Sequence, residues 1–147
     1  MSCYIKFYKV NDPFGCFSNF SKHSFNLDDE TWLTAEHYFQ SRKFLDENIK
    51  EKIRAVASPM DAALLGRNRN YTLVQNWESI KDDVMRVAVF EKFSQNDDIK
   101  EILLSTGDAI IIEHTRNDSY WGDGGDGSGK NMLGLILMET REKLRGG

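Results

Sequence analysis

The sequence predicts a mostly helical α+β domain with a few short strands, folded as one unit over residues 1–147. Three observations lead there. Cap-and-periodicity signals open helices at Thr34, Ser58, Asn76, Asp97 or Asp98, and Asn131. Strand-like runs are short and confined to Tyr4–Val10, Ser24–Leu27 and Ala109–Glu113. No linker, repeat or low-complexity tract interrupts the chain, and 147 residues suffice to bury a core.

In chain order, Tyr4–Val10 alternates and is rich in aromatic and β-branched residues, so it reads as a strand that Asn11-Asp12-Pro13 turns. FGCFSNFS follows, with Phe14, Phe17 and Phe20 at spacing three. Two readings stand: an aromatic plug in the core, or a loop whose Phe17 or Phe20 stacks on a flat ligand while Asn19 hydrogen-bonds to it. Ser24–Leu27 is a second short strand, turned back by Asp28-Asp29. Thr34 is the N-cap of a helix along AEHYFQSRKFL, with Glu36 in the first turn where the dipole favours a carboxylate. Glu36, Gln40 and Lys43 share one face, with Glu36 and Lys43 about 10 Å apart along the axis at ~1.5 Å per residue. Such a stripe is either solvated or, beside Trp32, Tyr38, Phe39 and Phe44, partly desolvated. Desolvation would raise a carboxyl pKa and lower a lysine pKa, both toward acid–base work near neutrality.

An amphipathic helix covers Asn48–Ala57, and Ser58-Pro59 opens another that runs to Gly66. Arg67 and Arg69 sit at its C-terminal end, there to stabilise the helix or to reach a phosphate. Asn76 caps the longest helix, to about Ser94, whose Trp77, Ile80, Val84, Val87 and Ala88 form a core stripe widened by Val89, Phe90 and Phe93. A further helix runs to Leu104 and stops at Gly107. Ala109–Glu113 reads as a strand covered on both faces, and Asn131 caps a closing helix in which MLGLILM is apolar all round.

Between those last two elements lies EHTRNDSYWGDGGDGSGKNMLG, with five glycines from Gly122 to Gly129. A glycine cluster weakens a fold unless the backbone must turn tightly or approach a ligand. Trp121 is seldom found in a solvated linker, and both ends of the stretch are pinned by apolar segments.

The formal charge of −4 argues against a broad nucleic-acid face, while leaving room for a local basic patch. No apolar run is long enough for a membrane span and the N-terminus lacks a signal-peptide core, so a cytoplasmic protein without membrane partners is expected. Cys3 and Cys16 then read as reduced thiols.

Familiar site motifs fail. Gly124 to Lys130 nearly spells a phosphate-binding loop, but Asn131 stands where Ser or Thr must hold magnesium, and Asp123 and Asp126 would repel a triphosphate. The Asp–Gly run lacks the alternating oxygen ligands and closing Glu of a calcium loop, and scattered histidines give no zinc spacing. No metal and no cofactor is expected. Carboxylates (Glu36, Glu113, Asp118), Lys43, aromatic faces and glycine amides remain. That set suits glycosidic chemistry on a flat base bearing a ribose.

FGCFSNF (14–20), TWLTAEHYFQSRKF (31–44), SPMDAALLGR (58–67), NWESIKDDVMRVAVFEKF (76–93), LLSTG (103–107) and IIEHTRNDSYWGDGGDGSGKNMLG (111–134) resemble the YbiA/NADAR family, in order and over nearly the whole chain. The resemblance implies a compact, mostly helical α+β domain and an N-glycosidase. Two substrates fall under it: ribose 5-phosphate joined to pyrimidine intermediates of riboflavin synthesis, and ADP-ribose on modified guanine, which would make an ADP-ribosylated nucleic acid a partner. Both attach ribose C1 to an exocyclic amine. On this resemblance Glu36 acts as acid or base, and Lys43 as Schiff-base nucleophile or electrostatic partner. Asp118 activates water or holds ribose hydroxyls, and Glu113 is a further carboxylate that acts on substrate or braces the loop. Trp121 stacks. Phe17, Asn19, Phe20, Arg67, Gly122 and Asn131 complete the substrate-binding set, the glycine amides forming an anion nest for a phosphate. Arg67 and Lys130 are the contacts a larger ADP-ribosyl substrate would use. A non-catalytic module that binds ADP-ribose or an NAD-derived ligand is the alternative outside enzymes.

Overall fold

The computed structural model describes residues 3–146, in six helices and four short strands. Strand β1 (Tyr4–Phe7) pairs in parallel with β4 (Ile110–Glu113), placing Phe7 opposite Glu113. Strands β2 (Phe25–Leu27) and β3 (Glu30–Trp32) form an antiparallel hairpin. The Asp28-Asp29 turn carries φ of 56° and 64° at its two central residues, the geometry whose twist matches a two-residue hairpin. A single 3-10 turn, Gly15–Phe17, lies between β1 and the hairpin.

Helices α1 (Ala35–Ser41), α2 (Glu47–Ala55) and α3 (Pro59–Gly66) pack beside one another. Thr34 caps α1 by accepting from the His37 amide, and Ser58 caps α3 by accepting from Asp61, with Pro59 in the first turn. Helix α4 (Trp77–Gln95) is the spine, followed by α5 (Asp97–Ser105) and, after β4, by α6 (Met132–Gly146). The main core gathers Phe7, Phe17, Phe39, Met85, Val89, Phe93, Ile111, Leu133 and Leu137 between α4, α6 and the β1–β4 pair. A side chain at Gly134 would place its Cβ 2.1 Å from the Ile111 carbonyl oxygen, so glycine lets α6 lie directly on β4. A second cluster, Phe25, Trp32, Ala35, Tyr38 and Ala88, seats the hairpin, and a third, Phe44, Ile49, Ile53 and Ala62, lies under α2 and α3. Among the described residues no helix is long and apolar enough to cross a membrane.

Several expectations are corrected. The first helix stops at Ser41 rather than running to Leu45, because buried Phe44 leaves the helical path to bridge Leu73 and anchor the third cluster. On α4, Ile80 and Val87 face solvent, and the buried stripe is Trp77, Met85, Ala88, Val89, Lys92 and Phe93. Asn76, at φ 67°, makes no side-chain cap; its carbonyl accepts from Ser79 instead. Helix α5 starts at Asp97, which lies in its first turn, and Asn96 before it donates to the Ser24 and Lys92 carbonyls. In β4 only Ile111 is fully buried, and Ile110 and Ile112 on the other face are half-buried. Helix α6 exposes Leu135, so it is not apolar all round.

Candidate active site

A cavity of about 840 Å³ opens where α1, α3, the Ser18–Phe20 segment and the loop after β4 meet. Glu36, Lys43, Glu113 and Asp118 all line it, together with Asn19, Phe20, Arg67 and Trp121. The four chemistry-bearing groups thus come from two stretches far apart in sequence, 36–43 and 113–118.

Each is held by its own local structure. Glu36 occupies the first turn of α1, its amide donating to the Asn19 carbonyl at 3.2 Å and its Oε2 accepting from Gln40 Nε2 at 2.7 Å. Lys43 stands two residues beyond the end of α1, in a segment pinned where Val74 donates to the Lys43 carbonyl at 2.7 Å. Glu113 ends β4, its amide donating to Asn131 Oδ1 and its carbonyl accepting from Asp123. Asp118 Oδ1 accepts from the Tyr120 and Trp121 amides at 2.9 and 2.8 Å, a turn that leaves Oδ2 for a ligand. Trp121 meets Phe39 edge-on at 5.4 Å, and its neighbour Tyr120 is tied to α4 by a 2.6 Å hydrogen bond from its hydroxyl to Asp82.

Burial sets the electrostatics. It pushes the Glu36 carboxyl up, against the Gln40 hydrogen bond and the charges of Lys43 and Arg67. Glu113 is pushed up to about 7, first by burial and then by the neighbouring Asp118, Glu36 and Asp123 carboxylates. The Lys43 amine is lowered by burial, opposed by Glu36 and assisted by Arg69 and Arg67. Burial and the neighbouring carboxylates therefore favour the protonated form of Glu113.

Other expected contacts lie elsewhere. Phe17 is 1% exposed, packed between Phe7, Phe14 and Phe93, because the 3-10 turn points it into the core while Ser18, Asn19 and Phe20 run along the cavity. Gly122 is buried structure: a Cβ there would lie 2.8 Å from the Glu113 carbonyl oxygen. Asn131, at φ 54°, neither caps α6 with its side chain nor reaches this cavity; it clamps β4, accepting from the Glu113 amide and donating to the Ile111 carbonyl. The first amides of α6 find their acceptors in the Tyr120 and Trp121 carbonyls instead. Lys130 sits over the Tyr120 ring, away from the cavity lining.

The expected phosphate nest is filled from within. Asp123 accepts from the Thr115 and Gly125 amides and pairs with His114, while its carbonyl accepts from Gly127 and Gly129. Its carboxyl lies below the usual range because, against the upward push of burial, His114 and the two amides favour the charged form. The glycines therefore wrap around an internal carboxylate.

Gln40, Lys9, Ser18 and Met85 line the cavity without having been assigned there from sequence. Only Gln40 carried a signal, standing one helical turn after Glu36 on the same face. Among the described residues Asn19 Oδ1 is a buried acceptor without a hydrogen-bond partner, on a residue that lines the cavity. Among the described residues no cluster of three or more His, Cys, Asp or Glu is placed to hold a metal ion.

Comparison with known proteins agrees with this architecture. The NADAR domain model matches residues 6–145. N-glycosidase YbiA of Shigella flexneri is 54% identical over 140 residues, which are 95% of this chain and 88% of that protein. Riboflavin biosynthesis protein VVA0006 of Vibrio vulnificus is 40% identical over 141 residues, 96% of this chain but 38% of the larger protein. The NMR structure of the E. coli protein YbiA matches with a TM-score of 0.91 at 52% identity, covering 99% of this chain and 87% of that one. The six helices and short strands are thus built on a known plan, and the chain belongs to the NADAR family.

Proposed function

We propose that this chain is a hydrolytic N-glycosidase that cleaves the bond between ribose C1 and the exocyclic amine of a pyrimidine intermediate of riboflavin synthesis, the ribose carrying a 5-phosphate. The observation that carries the reading is the convergence of Glu36, Glu113, Asp118 and Lys43 on one cavity walled by Trp121 and Phe39. The names of the relatives support the reaction and the substrate class.

The chemistry follows from the bond. Protonation of the ribose ring oxygen lets the C1–O bond break, leaving an imine between C1 and the base amine. Glu113, titrating near neutrality, is the proton donor, and Glu36 holds or accepts a proton beside Lys43. The Lys43 amine, favoured in its neutral form by burial, adds to C1, and proton transfer expels the base as its free amine. Water, oriented by Asp118, then hydrolyses the lysine imine, returning the amine and releasing ribose 5-phosphate. Trp121 and Phe20 flank the base, Asn19 Oδ1 accepts from it, and Arg67 takes the phosphate.

The cavity volume favours a second substrate reading, ADP-ribose on guanine of a nucleic acid. About 840 Å³ is in the upper part of the range for ligand sites, ~300–1,000 Å³. Lys9, which lines the cavity, rather than Lys130, would meet the added phosphate. Free Cys3 and Cys16 fit a reducing cytoplasm. Incubation with an aminopyrimidine ribosylamine phosphate and, separately, with ADP-ribosylated guanosine tests both. Release of ribose 5-phosphate from the first is expected, and no release from either substrate would overturn the glycosidase reading.

A further inference from the structure

Lys92 lies on α4 outside the cavity, with 1% of its surface exposed. Its Nζ donates to the Ser18 carbonyl at 2.9 Å and rests 5.2 Å from the centre of the Phe93 ring. Cys16 in the 3-10 turn and His23 ahead of β2 are the titratable groups that feel its charge, and Asp98 of α5 lies near both. Burying an ammonium beside one acceptor is costly. A methionine of similar reach would cover the same apolar neighbours without that cost. What the amine adds is its hydrogen bond to Ser18.

That bond bears on the site. The next carbonyl along, Asn19 O, accepts from the Glu36 amide, one of the first-turn donors of α1 that have no partner within the helix. The Asn19 side chain in turn donates to Met85 Sδ on α4 at 3.4 Å. Ser18, Asn19, Glu36 and Met85 all line the cavity. Lys92 therefore grips, from behind, the strap that forms one cavity wall and meets the start of α1.

The geometry points to Lys92 as a positioning residue: its hydrogen bond to the Ser18 carbonyl holds the Ser18–Asn19 peptide where Asn19 O meets the Glu36 amide, and so aims the Glu36 carboxyl into the cavity. The catalytic consequence rests on the N-glycosidase reading, whereas the positional one rests on the hydrogen bonds alone.

K92M and K92Q test this by two readouts, steady-state kinetics on an aminopyrimidine ribosylamine phosphate and the Glu36 amide proton shift in nitrogen-15-labelled protein. In K92M, kcat is expected to fall about tenfold or more with KM changed less than about threefold, the pattern of a misaimed catalytic group. The Glu36 amide proton moves upfield as its hydrogen bond lengthens, the melting temperature stays at or above wild type, and K92Q, which keeps an N–H donor, recovers part of the rate. A K92M protein with wild-type kcat and an unmoved Glu36 amide overturns the assignment. So does failure of both variants to fold, which would make the lysine purely structural. If wild type itself releases no ribose phosphate, the glycosidase reading fails while the Glu36 amide still reports whether Lys92 sets the start of α1.

Discussion

Gln40 donates from Nε2 to Glu36 Oε2 at 2.7 Å, and its other amide atom, Oε1, is buried against Gly66 without a hydrogen-bond partner. A Cβ at position 66 would fall 1.9 Å from that oxygen. The last residue of α3 thus decides how closely Gln40 holds the Glu36 carboxylate on α1.

G66A is therefore expected to destabilise the protein, although alanine improves helix propensity by about 1 kcal/mol. Gln40 must rotate away from Glu36, and kcat should fall by about tenfold as the carboxyl loses its partner. Melting temperature and kcat measured together check this. A more stable G66A enzyme with normal turnover would show that Gln40 has room to shift.

E36Q separates catalysis from binding. Removing the proton-transfer group while preserving shape should lower kcat by about 10²-fold or more, with ligand affinity changed only a few-fold. Calorimetry with a non-hydrolysed ribosylamine analogue, beside single-turnover kinetics, gives both numbers. Unchanged turnover in E36Q would remove Glu36 from the mechanism.

Glu113 predicts two pH effects of known sign. In its proposed role as proton donor it must be protonated, so kcat should decline as pH rises through about 7. Its folded pKa is raised from 4.5, so its contribution to stability is fully present below 4.5 and lost as pH rises through about 7. E113Q carries no charge to bury. It should exceed wild-type stability by about 1–3 kcal/mol at about pH 8, and by much less at about pH 4. Denaturant titrations of both proteins at the two pH values check it; an equal difference at both would mean that Glu113 ionises freely in the cavity.

Lys43 should be trapped by borohydride during turnover. Reduction of the imine to C1 leaves a sugar phosphate on the protein, visible by intact mass and located by peptide mapping. K43A should show neither adduct nor appreciable turnover. Wild type that turns over substrate yet stays unmodified would limit Lys43 to an electrostatic role.

Much of the frame was legible because its causes are local. Thr34 and the Ser58-Pro59 pair cap their helices as their side chains dictate, and Asp28-Asp29 turns a hairpin whose second strand had no separate signature. Glu36, Asp118, Trp121 and Arg67 were named from sequence and all reach the cavity. Phe17 and Phe20, three residues apart in one motif, were not separable, since only the packing of Phe7 and Phe93 around the former sends it inward.

By itself the sequence determined the mostly helical α+β frame and its short strands, because caps, turns and periodicity act within a few residues, and its motifs carried the resemblance to the family. The tertiary structure alone decided which faces point inward and which donors are already taken. It ended α1 before Lys43, gave the glycine amides to Asp123, turned Asn131 to β4, and buried Lys92 behind the cavity wall. Those outcomes depend on partners tens of residues away, and burial and hydrogen-bond occupancy exist only once the distant segments have met.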